Sequence, residues 1–271
     1  MSNNTVVQEI RNSVGNGSTD PHHAIIDGID CVIKGIENPE GHIALVNEYF
    51  GYKIAEKCGL RVPKYGFSNI NDFTKTKSEY SETFPQHSIC FYTHTIKNVV
   101  LLRSIRQLQK SENRYILKIL LLDIVICNTD RNLGNLLLRQ RKNKPLEIYP
   151  IDYTHAFKVE VHWDFGRQLQ RFLPPDIELI DNEEMIEDSP ILKMLIEKCC
   201  MERQDIIELV EEFKTILNDI NLNSIKEEIP SDLIARISDD GLNDFVNFIK
   251  YRINTIDEYV EIIIDKIEIG R

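Results

Sequence analysis

The sequence lacks the long apolar stretches and the targeting segment that would place it in or beyond a membrane. None of its apolar runs approaches the ~20 residues that a membrane-spanning helix requires. Residues 1–10, MSNNTVVQEI, have neither the basic segment nor the apolar core of a secretory signal. We therefore expect a cytoplasmic protein that has no membrane partner.

The sequence lacks any metal-binding pattern of cysteine. The six cysteines form no CxxC motif and no spacing typical of a metal site. In a chain without an export signal they are expected to be reduced thiols, most of them in the core. They are Cys31, Cys58, Cys90, Cys127, Cys199 and Cys200. A disulfide-stabilised scaffold is therefore not expected.

An excess of positive charge is also missing. The net charge is −11, and residues 176–271 carry 25 Asp and Glu against 10 Lys and Arg. A surface of this kind repels phosphate backbones, so direct binding of nucleic acid is not expected. The acidic part of the chain is either a solvated helical surface or a face for a basic partner.

The patterns that are present change along the chain. β-Branched residues flank Asp27-Gly28, a dipeptide typical of two-residue hairpin turns. Residues 43–57 have the apolar spacing of a helix, and residues 99–126 fit one or two more. Beyond residue 176 the pattern is helical almost throughout, and residues 245–267 predict one long amphipathic helix.

This order predicts an α+β protein with two lobes and a cleft between them. We assign residues 1–93 to a small β-rich lobe with one helix. Residues 94–271 are assigned to a larger, mainly helical lobe. The boundary falls within HSICFYTHTI, a segment that fits a strand or a linker.

Two charged residues of the first lobe are candidates for a phosphate site. Lys34 follows the apolar strand CVI, from whose end its ammonium group can reach inward as a point charge for phosphate. A buried lysine is costly unless it is paired, and Glu48 on the next helix is a suitable partner. Taken alone, Lys34 fits equally well as a surface lysine, and Glu48 as a solvated helix residue.

A second group of polar residues interrupts apolar runs where a packed core needs none. NTDRNLGN places Asp130 in a short loop after an apolar helix, and Asn135 lies five positions later. An aspartate there can accept a hydrogen bond from an acceptor hydroxyl. Asn135 and Asp152, which ends the run IYPID, offer the oxygen ligands that Mg²⁺ prefers. The alternatives are a polar turn around Asp130 and a turn or cap residue at Asp152.

The segment SVGNGSTD ahead of the hairpin supplies the last of four features that phosphoryl transfer requires. Phosphoryl transfer requires a cation on the phosphates, ligands for magnesium, a group that orients the acceptor hydroxyl and a loop of backbone N–H groups over the phosphates. Gly15, Gly17 and Ser18 belong to a candidate loop, although the GxxxxGK[ST] motif of P-loop NTPases is missing. The set predicts binding of ATP and Mg²⁺.

Together these motifs resemble the HipA-like branch of the protein kinase and phosphatidylinositol kinase fold, over roughly residues 12–157. GNGSTDPHHAIIDGIDCVIKG resembles its glycine loop, hairpin and lysine, and NEYFGYKIAEKCGLRVPKYGF its glutamate helix and GLxVP strand. NTDRNLGNLLL resembles its NTDRHxxN catalytic loop, and PIDYTHAF its magnesium aspartate. Asn132 stands where the family usually has histidine, and Tyr153-Thr154 replaces a pair that contains glycine.

The resemblance implies a role for each candidate. Lys34 would contact the ATP phosphates, and Glu48 would pair with it. Asp130 would be the catalytic aspartate, while Asn135 and Asp152 would bind magnesium.

The resemblance also implies two features of the small lobe. The connector around Cys90 and Tyr92 would be the hinge whose backbone meets adenine. A serine of the glycine loop would be autophosphorylated and would then displace the loop; Ser13, Ser18 and Thr19 are possible counterparts.

The function implied is that of an ATP-dependent kinase that phosphorylates serine or threonine of a protein. By resemblance, it would act in a toxin–antitoxin or stress system with an antitoxin or regulatory partner. The alternatives are a pseudokinase that binds a nucleotide or partner without turnover, and a small-molecule or lipid kinase. A pseudokinase has little reason to retain Asp130, and the acidic second lobe argues against anionic lipid surfaces.

Overall fold

A computed structural model describes residues 5–15, 17–104, 107–108, 112–144, 146–157, 186–198, 201–237 and 241–269. Strands come first and helices last, as the α+β assignment predicts. The first elements are β1 Val7–Ser13, β2 His22–Ile26, β3 Ile29–Gly35, α1 Ile43–Lys57, β4 Tyr65–Asn69 and β5 Ile89–His94. Their strands form one antiparallel sheet in the order β1-β2-β3-β5-β4.

The later elements are mainly helical. They are β6 Val100–Leu101, α2 Asn113–Val125, β7 Leu136–Arg139, β8 Glu147–Pro150, α3 Pro190–Lys198, α4 Arg203–Asn218, α5 Leu222–Glu227, α6 Ser231–Ile234, α7 Gly241–Asn254 and α8 Ile256–Ile269. β6, β7 and β8 form a small antiparallel sheet. The lobe boundary at residue 93 stays a prediction; β5 ends at His94.

The hairpin predicted at Asp27-Gly28 is present. Ile26 pairs with Ile29, and the two residues between them have φ of 50° and 73°. These angles are those that a tight hairpin turn requires.

Two helix predictions need correction. Val100 and Leu101 form strand β6, which pairs with Leu137 and Leu138 of a distant segment; the local apolar spacing could not reveal that partner. The single C-terminal helix is two helices, because the chain turns at Thr255, whose hydroxyl donates to the carbonyl of Tyr251. A threonine bonded back to the preceding turn bends a helix.

Helix α1 is the element that joins the sheet to the helical lobe. Most of its residues are buried, including the polar Asn47 and Glu48. At Gly51 the helix approaches Tyr153 so closely that an added Cβ would lie 2.5 Å from that side chain. The glycine therefore lets α1 pack directly on the segment that contains Asp152.

Cys31, Cys58, Cys90 and Cys127 are buried free thiols, as predicted; Cys199 and Cys200 lie outside the described residues. Within the described part of the chain, no helix combines the length and apolarity needed to cross a bilayer.

Candidate active site

Lys34 lies at the centre of the candidate site. Its ammonium group forms an ion pair with Glu48 of α1, and its Nζ lies 2.8 Å from Asp152 Oδ1 and 2.7 Å from Thr154 Oγ1. Only 8% of Lys34 is exposed. The structure thus brings together three of the residues selected from sequence, although 118 positions separate Lys34 from Asp152.

Glu48 is held on both of its oxygens. The backbone N–H of Tyr153 donates to one at 3.1 Å, and the Thr154 hydroxyl donates to the other at 2.9 Å. A buried carboxylate with hydrogen bonds on each oxygen is oriented as well as paired. The rotamer of the lysine is therefore defined by α1 and by the segment after β8.

The charges in this cluster reinforce one another. Burial opposes the charge of Lys34, but Glu48 and Asp152 more than offset it, so that the lysine pKa is raised. Burial also opposes ionisation of Asp152, but attraction to Lys34 and its hydrogen bonds hold the pKa of that carboxyl below its usual range. Both groups are charged at neutral pH.

Asp152 sits in a turn that presents its carboxylate to the lysine. Its φ is +61°, a left-handed conformation that is uncommon outside glycine. The N–H of Thr154 donates to Asp152 Oδ1 at 3.3 Å, and the N–H of Asp152 donates to the Tyr52 hydroxyl at 3.4 Å. The side chain remains 30% exposed, so one side of it stays accessible.

The loop after α2 is anchored by a buried ion pair. Arg131 Nε donates to Asp123 at 2.9 Å, and its guanidinium also donates to the carbonyls of Asn135 at 3.1 Å and Ile151 at 2.5 Å. Asn128 donates to the same aspartate at 2.9 Å. The desolvation cost of burying Arg131 and Asp123 is offset because their opposite charges attract and they form hydrogen bonds with each other.

This anchoring leaves Asp130 exposed at the loop surface, as an acceptor-orienting group requires. The amide of Asn135 donates to the Asp130 carbonyl at 3.0 Å, and the Asn135 carbonyl accepts from the N–H of Ile151 at 2.9 Å. Asn135 precedes β7 and Asp152 follows β8, so the pairing of Leu136 with Pro150 holds both at one end of this hairpin.

The donor atoms at that end suit magnesium. Among the described residues, Asn135 Oδ1 accepts no hydrogen bond, and Asp152 supplies a partly exposed carboxylate. The same part of the chain has no cluster of three or more His, Cys, Asp or Glu side chains that could hold a metal alone. Magnesium typically takes one or two carboxylates and completes its shell with water and substrate phosphates. Asn135 and Asp152 match that kind of site.

The glycine loop between β1 and β2 reaches the same region. Gly15 and Gly17 have φ of 82° and 115°, which glycine adopts at low cost. Inside the loop, Ser13 Oγ accepts from the N–H of Gly15 at 3.0 Å. At its far side, Ser18 Oγ lies 3.1 Å from Nε2 of His155, three residues after Asp152. The loop therefore contacts the segment that carries the candidate metal ligand.

Cys90 and Tyr92, which the sequence assigns to the hinge, lie within a strand of the sheet. Both are inside β5, which pairs with β3 on one side and β4 on the other, so their backbone groups belong to the sheet. Cross-strand partners share a face; Lys34 is opposite Phe91, so Cys90 and Tyr92 face the other way. The N–H of Thr95, one residue after β5, also donates to the carbonyl of Asp30.

Sequence reasoning missed residues that hold the site in place. Asp123 lies within an apolar run. A single carboxylate at such a position indicates that it is buried and paired with a cation. Thr154 was noted only as a departure from the family pattern, and His155 was not considered. The contacts of Thr154 and His155 are long-range, so no local pattern announces them.

A five-stranded sheet with one helix, a mainly helical second lobe, and a buried lysine paired with glutamate and aspartate between them define a kinase-like fold. The chain belongs to the HipA-like kinase family, whose sequence profile matches residues 7–170. This confirms the resemblance seen in the sequence.

One solved structure agrees at the level of the fold. The crystal structure of a proinflammatory kinase from Helicobacter pylori, CtkA, has a TM-score of 0.54 and 11% identity, with 97% of each chain covered. The MAP kinase LmaMPK10 from Leishmania major has a TM-score of 0.28 and 10% identity, covering 95% of this chain and 82% of its own; that score is too low to support an argument. No curated protein sequence matches.

Proposed function

We propose that this kinase transfers the γ-phosphate of ATP to a hydroxyl, that of a serine or threonine in a protein substrate. The observation that carries the proposal is the contact of Lys34 with both Glu48 and Asp152. Burying one cation between two carboxylates costs desolvation energy that a packed apolar cluster would avoid. A site that handles polyphosphate and a divalent cation explains why these charges are kept.

The small lobe binds the triphosphate. Lys34 offers its ammonium group to the phosphates, and Glu48 keeps that group in place. The glycine loop covers the phosphates, with the left-handed backbone of Gly15 and Gly17 allowing a close approach. Ser18 ties the loop to His155, which lowers the entropy cost of closing it.

The second lobe holds the metal. A bound magnesium ion neutralises charge on the β- and γ-phosphates. Asp152 and Asn135 would hold it, and Lys34, which contacts Asp152, would offer its ammonium group to the phosphates. Arg131 keeps the two metal-binding positions in register through the carbonyls of Asn135 and Ile151.

Asp130 orients the acceptor. Its carboxylate accepts a hydrogen bond from the substrate hydroxyl, whose oxygen attacks the γ-phosphorus. The bond between that oxygen and phosphorus forms as the bond from phosphorus to the β-phosphate oxygen breaks, and ADP leaves. The hydroxyl proton passes to the Asp130 carboxylate, which is exposed and releases it to solvent.

The remaining assignments rest on the family resemblance and stay predictions. They are the toxin–antitoxin or stress setting, an antitoxin or regulatory partner, the cytoplasmic location and autophosphorylation of the glycine loop. Of the three candidate hydroxyl residues in that loop, Thr19 is buried and Ser18 is exposed, so we expect Ser18 to be modified before Thr19.

The test is incubation of the protein with γ-labelled ATP and magnesium in an extract of host cells, followed by identification of the labelled species. We expect labelled serine or threonine in at least one protein, and no label with Asp130→Asn. Label on a small molecule instead of a protein would show that the substrate is a metabolite. Absence of any label, together with binding of ATP by calorimetry, would favour a pseudokinase.

A further inference from the structure

A second cavity lies along the outer edge of the sheet. Its volume is about 1250 Å³, and it is lined by β4, by one face of α1, by the β2–β3 turn and by the connection from α5 to α6. Lys34, Asp130, Asn135 and Asp152 are not part of its lining within the described residues. The cavity therefore needs an explanation other than ATP binding.

The edge of β4 in this cavity has unused backbone groups. β4 is the last strand of the sheet. The N–H of Asn69 points outward, since it donates to the carbonyl of Thr5; by the alternation of a strand, the backbone groups of Phe67 and Tyr65 point outward as well. Thr5 and Val6 occupy one end of this edge, where the Thr5 hydroxyl donates to the Phe67 carbonyl at 3.1 Å and Val6 bridges Asn69. Among the described residues, the N–H groups of Phe67 and Tyr65 have no hydrogen-bond acceptor. Such an edge is a template for another strand.

A buried side chain in the same lining is also unsatisfied. Ser68 is 2% exposed, and its hydroxyl has no hydrogen-bond partner within the described part of the chain. Buried polar groups are normally paired, and exceptions call for an explanation.

The walls of the cavity combine aromatic and acidic side chains. Tyr49, Tyr65 and Phe67 provide apolar surface, with Tyr49 and Phe67 stacked at 4.9 Å. Five acidic residues line the cavity against two lysines; they are Asp27, Glu56, Glu227, Glu228 and Asp232, against Lys53 and Lys64. Glu227 and Asp232 are exposed and have no ion-pair partner among the described residues.

We propose that this cavity binds an extended, basic segment of a protein partner, which adds to β4 as a further strand. The N–H groups of Tyr65 and Phe67 and the outward carbonyl of Tyr65 would pair with its backbone. Apolar residues of the segment would meet the aromatic wall, and its lysines or arginines would meet Glu227 and Asp232. β-Strand addition of this kind takes affinity from the main chain and specificity from alternate side chains.

The position of the cavity connects it to the candidate active site. Tyr49 adjoins Glu48 in α1, and its hydroxyl donates to Glu228 at 2.5 Å across the cavity. Lys53 lies 2.6 Å from the same carboxylate. A partner that displaces either contact therefore acts on the helix that holds Glu48. The binding itself does not depend on phosphoryl transfer.

The test uses a fluorescent eight-residue peptide that alternates lysine and valine, titrated with the full chain and followed by anisotropy. Two matched peptides separate the contributions: one replaces each lysine with glutamate, and the other replaces each valine with proline. We expect binding of the first peptide alone, because the second has the wrong charge and the third cannot form a strand. Equal binding of the proline peptide would show that charge attraction alone accounts for the binding, and it would overturn the proposal.

Protein variants locate the site. We expect the double substitution Glu227→Lys and Asp232→Lys to weaken peptide binding about tenfold, which corresponds to about 1.4 kcal/mol. The matched control makes the same charge reversals, Glu197→Lys and Asp265→Lys, at positions that are exposed and lie outside the cavity. Both pairs are surface positions, and thermal unfolding checks that each variant is folded.

Equal weakening by the two double variants would mean that the peptide responds to the overall acidity of the chain, and the proposal would fail. It would also fail if the peptide bound only to a chain shortened to begin at Thr5, because the cavity would then accommodate the protein's own N-terminus. Anisotropy measures peptide binding without phosphoryl transfer. The proposal of a peptide site can therefore fail or stand separately from the proposed kinase activity.

Discussion

The hydroxyl of Thr154 lies 2.7 Å from the ammonium nitrogen of Lys34. It also donates to Glu48 at 2.9 Å, so that one hydroxyl accepts from the cation and donates to its carboxylate partner. The backbone carbonyl of Thr154 in turn accepts from Asn47 of α1 at 2.9 Å. A residue that departs from the family pattern thus connects the helix of the small lobe to the segment after Asp152.

We predict that Thr154→Val lowers kcat/KM for ATP about tenfold, because hydrogen bonds to charged groups contribute roughly 1.5–3 kcal/mol. Valine preserves the branched shape but leaves the Lys34–Glu48 pair without its bridge. Thr154→Ser is the matched control and should retain near-normal kinetics. Steady-state assays decide the matter: equal kinetics for the valine and serine variants would show that the hydroxyl is dispensable.

We predict that Asp130→Ala reduces phosphoryl transfer by at least about 100-fold, the lower end of the usual contribution of a proton acceptor. Affinity for ATP should be unchanged, because Asp130 is exposed and, in the proposed mechanism, orients the acceptor hydroxyl and not the nucleotide. Thr129→Ala, at the neighbouring exposed position, serves as the control. Transfer rates and calorimetric binding of ATP are the measurements; normal turnover in the aspartate variant would remove Asp130 from its role.

We predict that Asp152→Ala weakens binding of ATP in the presence of magnesium and has a smaller effect in its absence. The reason is that the carboxylate supplies a hard oxygen ligand that the metal prefers. Calorimetry with and without magnesium measures both affinities, independently of activity. An equal loss under the two conditions would assign Asp152 to the orientation of Lys34 instead of to the metal.

We predict that Ser18→Ala and His155→Ala each raise KM for ATP more than they lower kcat, since the 3.1 Å contact between them holds the glycine loop near the site. Residues in direct contact give non-additive effects. The double variant should therefore resemble the single variants. Additive changes in KM, determined in a double-mutant cycle, would show that the two residues act separately.

We predict that the stability difference between the wild type and Asp152→Asn depends on pH. The pKa of Asp152 is lower in the folded state than in the unfolded chain, so its ion pair with Lys34 stabilises the fold above the unfolded value of about 3.9. That stabilisation is lost as pH falls below about 4 toward the folded value. Urea unfolding at pH 7 and at about pH 2, close to the lowered folded-state value, tests this, and a difference of equal size at both values would exclude the ion pair as its source.

Much of the candidate site could be selected from the sequence, because the types of its residues and their order along the chain indicate its chemistry. Asp130, Asn135 and Asp152 are polar residues at the ends of apolar runs, where packing does not account for them. Lys34 and Glu48 follow from a strand and the next helix. The hinge assignment at Cys90 and Tyr92 stays a prediction, because a run of apolar and aromatic residues has the same appearance in the interior of a strand and at its end.

The sequence by itself determined the class of the protein, the general order of strands and helices, and which side chains are candidates for phosphate and metal chemistry, because these depend on residue types at short spacing. Only the tertiary structure decided that Thr154 bridges Lys34 and Glu48, that Ser18 meets His155, and that the edge of β4 lies open in an acidic cavity. Each of these depends on contacts between segments distant in the chain, and local propensity contains no information about which distant surface a side chain will meet.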